Sequence, residues 1–331
     1  MQVLACPLRE ILEVAERVAV AGYQIALAVL DHRFWTVSCS PNAFWSVITR
    51  NMKLPSTVLG CLVFFAVASF AQNRPKNSDI ENIGTRDITA GTLNEVSLDK
   101  EVALGRELAA EYERQVQLNI DPAVNEYVNR LGQNLVMNSD ARRFAVGFKV
   151  VESADFDTRV DPGGTVYVTT GMIAAVDNEA ELAFVLSHQI AHIAARHATQ
   201  QLTKGQLTNF NNTPLLFLGG VGGFSIRQAS DQLVPLGLLQ IERQNAAEAD
   251  FLGLQYLYKA GYDPNAAVTF LRKVQAREAA TTSNKRLFLS VPPAADRIVA
   301  TRAEMDSILP VRAQNVLTTP EFDATKASLK K

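Results

Sequence analysis

The stretch "LAFVLSHQIAHIAARHA", residues 182–198, predicts a buried helix that carries a metal site. His188 and His192 are four residues apart, so both imidazoles project from one helix face and can bind one zinc ion. In the hydrolytic version of this pattern the residue after the first histidine is a glutamate, which takes a proton from metal-bound water. Here that residue is Gln189, whose amide cannot accept a proton at neutral pH. The pattern therefore predicts a zinc-hydrolase scaffold that lacks its general base.

A third zinc ligand is not found in the same stretch. His197 follows His188 by nine residues, which on a helix of 100° per residue puts it on the opposite face. The metzincin pattern needs a glycine and a histidine at the positions of Ala195 and Ala198, so that class is excluded. Two histidines at this spacing also occur as core residues without a metal. The stretch by itself therefore leaves metal binding open.

Composition predicts a globular chain and excludes one class of partner. Of the 331 residues, 47% are hydrophobic and 20% are charged, which is typical of a folded protein. The net charge of -2 gives no basic surface, so nucleic acid is not an expected partner. Cys6, Cys39 and Cys61 all lie near the N-terminus, so we expect no disulfide or thiolate ligand in the rest of the chain.

The segment 52–71, "MKLPSTVLGCLVFFAVASFA", has the pattern of a secretory signal peptide. A lysine precedes an apolar run, and small residues precede the expected cleavage point after Ala71. The alternative is an uncleaved membrane anchor, because 54–73 is uncharged and just long enough to span a bilayer. Residues 1–51 are then predicted to be an over-extended reading frame, with a genuine N-terminal extension as the alternative. The expected location is exported, either periplasmic or membrane-associated.

Local patterns predict an α+β order of elements, with helices on both sides of a small sheet. Ser97 and Asp121 are suited to cap helices, and Pro122 fits the first position of the second helix. The predicted segments are helices at about 98–118, 122–136, 178 onward, 239–260, 265 onward and 293–308, and strands at about 144–153 and 164–170. The glycine-rich stretch 215–225 lacks the ending of a phosphate loop and is expected to be a packed connection.

Three separated blocks of sequence resemble one family of zinc peptidases. The blocks are "NEAELAFVLSHQIAHIAARHA" (178–198), "RQNAAEADFLGLQYLYKAGYDPNAA" (243–267) and "FLSVPPAADRI" (288–298). In this order they resemble the HtpX-like and BepA-like metallopeptidases, which are gluzincins related to the CaaX prenyl proteases. The resemblance implies a mostly helical, zincin-like α+β domain at 97–310. A linker at 72–96 and a C-terminal tail at 311–331 are expected to flank it.

The resemblance assigns a role to each matching position and shows which roles are lost. It makes His188 and His192 zinc ligands and Asp250 the aspartate that supports a ligand. Gln189 stands at the position of the general base, and Ala246 stands where the family has its third ligand, a glutamate. The resemblance therefore implies a zinc site without its third ligand and without its base.

The resemblance also points to a changed substrate region. Val291 takes the place of a histidine that often lies in the site. The segment "DFDTRVDPGG" keeps Gly163 and Gly164 but carries charged residues where the family has an asparagine and apolar residues. It leads into a strand containing Val166, which is expected to be the edge strand that binds substrate. Changes at four separate places are typical of a lineage released from catalysis.

Neighbouring carboxylates are not expected to replace the missing ligand. Glu248 lies about 200° round the helix from Ala246 and should point away. Glu242 and Asp250 share the face of Ala246 but lie one turn off, so either would need a shifted metal. Since a catalytic zinc normally has three protein ligands, zinc is expected to bind weakly or not at all. Loss of the general base costs about 10²–10⁴ in rate even with the metal bound.

These observations lead to one functional hypothesis and two alternatives. The first is a secreted or periplasmic, hydrolytically impaired pseudoenzyme that binds unfolded or extended polypeptide by β-augmentation, with envelope assembly proteins as further partners. The second is an active zinc metalloendopeptidase of envelope protein quality control that uses its remaining carboxylates in unusual roles. The third is a membrane-anchored structural or assembly factor.

Overall fold

The structure is a computed structural model that describes residues 76–207, 236–280 and 291–329. The predictions for 1–51, 52–71 and 215–225 lie outside these described residues. Within the described residues, the α+β prediction is confirmed, because helices surround one small sheet. No described helix combines the length and the apolar character that a membrane span needs.

The described elements alternate in the predicted order of helices, sheet and helices. In chain order they are α1 (Leu98–Glu113), α2 (Pro122–Met137), β1 (Gly147–Val151), β2 (Thr158–Val160), β3 (Thr165–Thr169), α3 (Thr170–Ala175), α4 (Glu179–Ala195), α5 (His197–Leu207), α6 (Leu236–Lys259), α7 (Asn265–Ala280), α8 (Ala294–Ile308) and α9 (Pro320–Ser328). The predicted caps Ser97 and Asp121 are confirmed, since each side chain accepts a backbone N–H of the following turn. Asn178 caps α4 in the same way.

The ends of two helices can be explained from the structure. α1 ends at Glu113 instead of continuing to about residue 118, because the chain beyond it runs beside the sheet. There Leu118 bridges Val151, and the Asn119 N–H donates to the Val150 carbonyl at 2.9 Å. α6 is followed by Gly261 at a φ of 93°, a conformation that glycine adopts without strain.

The sheet has the strand order β1-β3-β2, so β3 lies at its centre. β3 is parallel to β1 and antiparallel to β2, and Val166 lies opposite Phe148 on one side and Val160 on the other. The prediction that the strand of Val166 is an edge strand was therefore wrong, and β2 forms this edge. The sequence pattern missed β2 because it has only three residues and leads into a turn, where Gly163 and Gly164 adopt φ values of 78° and 114°.

Helix α4 forms the centre of the hydrophobic core. All of its residues are buried, and it packs against α2, α6, α7 and the sheet. A helix that is apolar on every side is stable only when it is surrounded in this way. The polar side chains that α4 carries are therefore removed from water and must find partners inside the protein.

Both segments predicted to flank the domain pack onto its core instead. Ile83 and Ile88 of the predicted linker are buried there, and Arg86 forms a buried ion pair with Asp140 at 2.6 Å. In the predicted C-terminal tail, Phe322 of α9 is fully buried in the same core. The local sequence of both segments is polar enough to suggest exposure, and only their long-range contacts reverse that expectation.

Candidate metal centre

The centre forms where α4 and α6 come closest together. Gly253 on α6 lies directly against the backbone of His188, and a Cβ added there would be 3.0 Å from the His188 nitrogen. This close approach brings the side chains of α6 beside the histidines of α4. The block of sequence that carries the histidines and the block that carries Asp250 therefore meet, because glycine leaves no side chain between them.

His188 is held from behind by a buried carboxylate. Its Nδ1 lies 2.8 Å from Asp250 Oδ1, and Asp250 also accepts two hydrogen bonds from Arg297, at 2.6 and 2.7 Å. Burial alone would raise the pKa of Asp250, but the Arg297 guanidinium and the His188 hydrogen bond hold it well below its usual range. Because this carboxylate is ionised, His188 donates from Nδ1 and directs the lone pair of Nε2 at His192.

The two Nε2 atoms of His188 and His192 lie 3.1 Å apart. Two imidazoles that bind one tetrahedral zinc at 2.0–2.1 Å have nitrogens about 3.3 Å apart. Burial lowers the pKa of both histidines, so neither readily takes up a proton of its own. A separation of 3.1 Å is also an ordinary hydrogen-bond distance, so the pair is compatible with a direct hydrogen bond between the two rings as well as with a shared cation.

His197 contacts His192, which corrects the expectation that it lies on the opposite face. α4 ends at Ala195, and Arg196 adopts a left-handed conformation with a φ of 56°, so His197 starts α5 in a new direction. The Arg196 guanidinium stabilises this bend, because it binds Glu101 at 2.6 Å. As a result His197 Nδ1 lies 2.9 Å from Nδ1 of His192.

The side chain of Glu248 also points in a direction that its angle round the helix did not predict. Its Oε2 is 3.3 Å from His197 Nε2, so the carboxylate is directed at the third histidine instead of away from the site. The hydrogen bond from His197 lowers the pKa of Glu248 and opposes the effect of partial burial. The structure thus connects five side chains, from Glu248 near the surface through three histidines to the buried Asp250.

Gln189 is held in place by a hydrogen bond, and its amide cannot act as a proton acceptor. The residue is fully buried, and its amide nitrogen donates to Thr158 Oγ1 of β2 at 2.8 Å. Its Oε1 has no hydrogen-bond partner among the described residues. An amide in this place can orient a water molecule but cannot receive its proton.

No third ligand accompanies the histidine pair in the described part of the chain. Ala246 is buried and offers only a methyl group, and no described group of three metal-binding side chains could hold an ion. Asp250 is engaged by Arg297 and His188, while Glu248 is engaged by His197. Burial raises the pKa of Glu242 to about 8, so that side chain is a neutral acid at pH 7. The described residues therefore offer two protein ligands and lack the third that a catalytic zinc site uses.

The remaining predicted positions lie at different distances from this centre. Val291 is buried and lines a cavity with Arg243 and Glu278, between α6 and α7. Gly163 lines one small cavity together with His192, so the turn after β2 reaches the site. Gly164 lies in the same turn, and its N–H donates to the Asp161 carbonyl at 3.2 Å.

Peptidase family M48 is the class that this fold and site define. The family model matches residues 122–305, more than half of the chain, and the chain therefore belongs to peptidase family M48. This confirms the resemblance to the HtpX-like and BepA-like metallopeptidases. The assignment of Gln189 to the general-base position and of Ala246 to the third-ligand position stays a prediction of the sequence resemblance.

Three relatives illustrate the match. The beta-barrel assembly-enhancing protease of Yersinia pestis is 28% identical over 247 residues, which cover 71% of this chain and 49% of that protein. The same-named protein of Escherichia coli O157:H7 is 25% identical over 280 residues, covering 80% and 55%. The mitochondrial metalloendopeptidase OMA1 of Schizosaccharomyces pombe is 30% identical over 191 residues, covering 56% and 55%. The chain thus spans about half the length of the curated relatives it matches.

Sequence reasoning missed the side chains that support the histidines from a distance. Arg297 stands in the third sequence block, which gave a signal that its region belongs to the site. The contact of His197 with His192 was missed because α4 was assumed to continue past Ala195. No local signal marks this end, since Arg196 is not a residue type that favours a left-handed conformation.

Proposed function

We propose that this chain is an exported, peptidase-like protein of the M48 fold that binds extended polypeptide without cleaving it. The observation that carries the proposal is the hydrogen bond from Gln189 to Thr158, because it places an amide donor where the reaction needs a carboxylate base. A bound divalent ion would supply a Lewis acid at His188 and His192. With only these two protein ligands, we infer that the ion binds weakly.

The edge of the sheet beside Gln189 favours a polypeptide ligand. The Thr169 N–H donates to the Asp157 carbonyl and the Asp161 N–H to the Thr165 carbonyl. By the alternation of antiparallel pairs, the backbone groups of Val160 therefore face away from β3. Val160 is only 2% exposed, so a polypeptide that adds at this edge must displace what covers it. An extended polypeptide can add to such an edge through main-chain hydrogen bonds. The proposed binding edge is thus β2, because β3, the strand of Val166, lies at the centre of the sheet.

The names of the relatives suggest the setting of this function. They are a beta-barrel assembly-enhancing protease and a mitochondrial metalloendopeptidase. We propose that this chain acts in the quality control of envelope proteins, on unfolded polypeptide or together with assembly proteins. An active endopeptidase is the second candidate, and the retained pair of His188 and His192 is the observation that favours it.

The two candidates are separated by measuring binding and cleavage on the same protein. The purified full chain is mixed with a fluorescently labelled, permanently unfolded polypeptide, and binding is followed by anisotropy while mass spectrometry detects fragments. We expect saturable binding without fragments, in the presence and absence of added zinc. Fragments that form with the wild type but not with His188→Ala would establish the active enzyme and overturn the proposal.

Restoring the missing groups tests the physical reason for the lost activity. We expect Gln189→Glu alone to leave the protein without cleavage, because the third ligand is still absent. The double variant Gln189→Glu/Ala246→Glu should bind zinc at least about tenfold more tightly than the wild type and release fragments. Ala247→Glu, on the same helix, serves as the control that adds a carboxylate outside the proposed ligand position. Cleavage by the Gln189→Glu single variant would show that two ligands suffice.

A further inference from the structure

A groove of about 480 Å³ runs between α6 and α8, and its volume is typical of a ligand site. None of the three histidines is among the described residues that line it. Most of its surface is apolar, and Glu304 is the acid that lines it between the two helices. The groove therefore suits a ligand with an apolar body and one polar end. Its apolar walls are formed by Ala247, Phe251, Pro292, Ala300, Ala303 and Ile308.

Glu304 is a buried acid with one oxygen that has no partner. The residue is only 9% exposed, and Gln255 Nε2 donates to its Oε1 at 3.4 Å. This is the one hydrogen bond that the carboxyl group makes with the described residues, so Oε2 is left open. Buried polar atoms normally have a hydrogen-bond partner. The open oxygen, in a residue that lines the groove, thus marks the place of a donor from a ligand.

The charges around the groove favour a cationic ligand. Among the described lining residues the basic one is Arg297, which is 1% exposed and pairs with Asp250 at 2.6 Å. The charge of Asp250 is thereby balanced. Asp296 also lines the groove and is exposed, so it adds a negative charge near the solvent. An ammonium group is attracted by this arrangement, while an anion is repelled.

We propose that this groove binds a lysine side chain of a polypeptide ligand, with the ammonium group at Oε2 of Glu304. The inference deepens the proposed polypeptide binding, because it names a side chain that the ligand carries. The methylene stem of lysine fits the apolar walls, since long charged side chains bury their stems against apolar surface. Gln255 occupies one oxygen of Glu304, so the carboxylate offers one site to a compact ammonium group and no pair of sites to the fork of arginine.

Binding should release a proton. Burial raises the pKa of Glu304 to about 9, so its carboxyl group is neutral at pH 7. Arg86, in the segment before α1, reaches it only through Gln255, to which it donates at 2.8 Å. An ammonium group pairs with the ionised form, so the proton of Glu304 passes to the buffer while lysine keeps its own. The affinity should then fall by about tenfold for each pH unit from 8 to 6. Charged residues of both helices share the groove with Glu304, namely Asp250, Asp296 and Arg297.

Isothermal titration calorimetry of the purified full chain with short capped peptides tests the inference. The probes are three pentapeptides with four alanines around a central lysine, norleucine or arginine. We expect the lysine peptide to bind at least about tenfold more tightly than the other two, because only its ammonium group matches the single open oxygen. Titrations at pH 7 in buffers of different ionisation enthalpy should show that about one proton is released per peptide. Equal affinities for the lysine and norleucine peptides would overturn the inference, and equal affinities for lysine and arginine would overturn the choice of lysine.

Two variants of α8 connect the binding to the proposed carboxyl group. Glu304→Gln keeps the size of the side chain but has no charge, so we expect binding at least about tenfold weaker and no proton release. Asp306→Asn is the matched control, because this carboxylate is exposed on the same helix and is not among the described lining residues. It should bind the lysine peptide like the wild type. Thermal unfolding shows whether both variants are folded, and wild-type binding by a folded Glu304→Gln would contradict the proposal.

The same measurements separate this inference from the proposed function. A chain that binds the unfolded polypeptide but not the lysine peptide would overturn the lysine site alone. A chain that binds the lysine peptide with proton release but not the unfolded polypeptide would overturn the proposed function and leave the groove as a lysine site.

Discussion

Asp250 is engaged on both of its oxygens, by His188 on one side and by Arg297 on both. The side chain of Arg297 is 1% exposed, so its charge lies inside the protein. A buried ion pair of this kind contributes little compared with apolar packing, but breaking it leaves one charge uncompensated in the interior. Asp250 thus orients His188 and also neutralises the buried positive charge of Arg297.

Asp250→Asn is therefore expected to lower both stability and zinc affinity. The free energy of unfolding should fall by about 3–5 kcal/mol, because the buried guanidinium of Arg297 loses the counter-charge of Asp250. Urea unfolding measures this loss. The double variant Asp250→Asn/Arg297→Met should recover part of it, since the buried positive charge is removed together with its counter-charge. A single variant within about 1 kcal/mol of the wild type would contradict this account of the pair.

At the scale of elements, the site depends on how closely α4 and α6 approach. The contact at Gly253 is with the backbone of His188, at 3.0 Å from its nitrogen and 3.1 Å from its Cα. Backbone atoms of two packed helices cannot move aside independently, in contrast to the end of a flexible side chain. Any side chain at position 253 must therefore push the helices apart at the histidine itself.

Gly253→Ala should accordingly destabilise the protein in spite of the higher helix propensity of alanine. We expect a loss of about 1–3 kcal/mol in urea unfolding, together with weaker zinc binding, because the added methyl group overpacks the helix contact. Gly147→Ala is the matched control, since a Cβ there meets nothing within 4 Å. Equal stabilities for the two variants would show that the helices adjust without cost.

At the scale of the whole molecule, two buried acids are neutral around pH 7. Burial raises the pKa of Glu242 to about 8 and the pKa of Glu304 to about 9. Glu304 lies on α8 within reach of Gln255 at 3.4 Å, and the charge of Asp250 raises its pKa further. In the unfolded chain a glutamate loses its proton near its ordinary value of 4.5.

The contribution of these two acids to stability should therefore fall as the pH rises, while the two buried histidines, whose pKa is lowered, act in the opposite direction below about pH 6.5. Between pH 4.5 and about 9 the folded protein keeps the Glu304 proton while the unfolded chain has lost it, so higher pH favours unfolding. The slope from this group is at most about 1.4 kcal/mol per pH unit. We expect Glu304→Gln to melt at a higher temperature than the wild type at pH 9, with a smaller difference at pH 5. A difference in melting temperature between the two proteins that stays constant from pH 5 to pH 9 would refute the raised pKa of Glu304.

Much of the fold could be predicted because its signals are local. Ser97 and Asp121 cap helices through contacts with the next turn, and the strand of Val166 is rich in β-branched residues. The short strand β2 and the burial of 76–96 could not be predicted. Their conformations depend on distant partners, such as β3 for the strand and Asp140 for Arg86.

The sequence by itself determined which chemical groups the site contains. The spacing of His188 and His192, the amide at Gln189 and the methyl group at Ala246 need no structure to be recognised, because side-chain chemistry and helical periodicity decide what they can do. The tertiary structure alone decided where the supporting groups lie. Arg196 bends the chain so that His197 returns to the site, and the packing of α6 on α4 brings Asp250 to His188. Such contacts join residues far apart in the chain, so no local pattern encodes them.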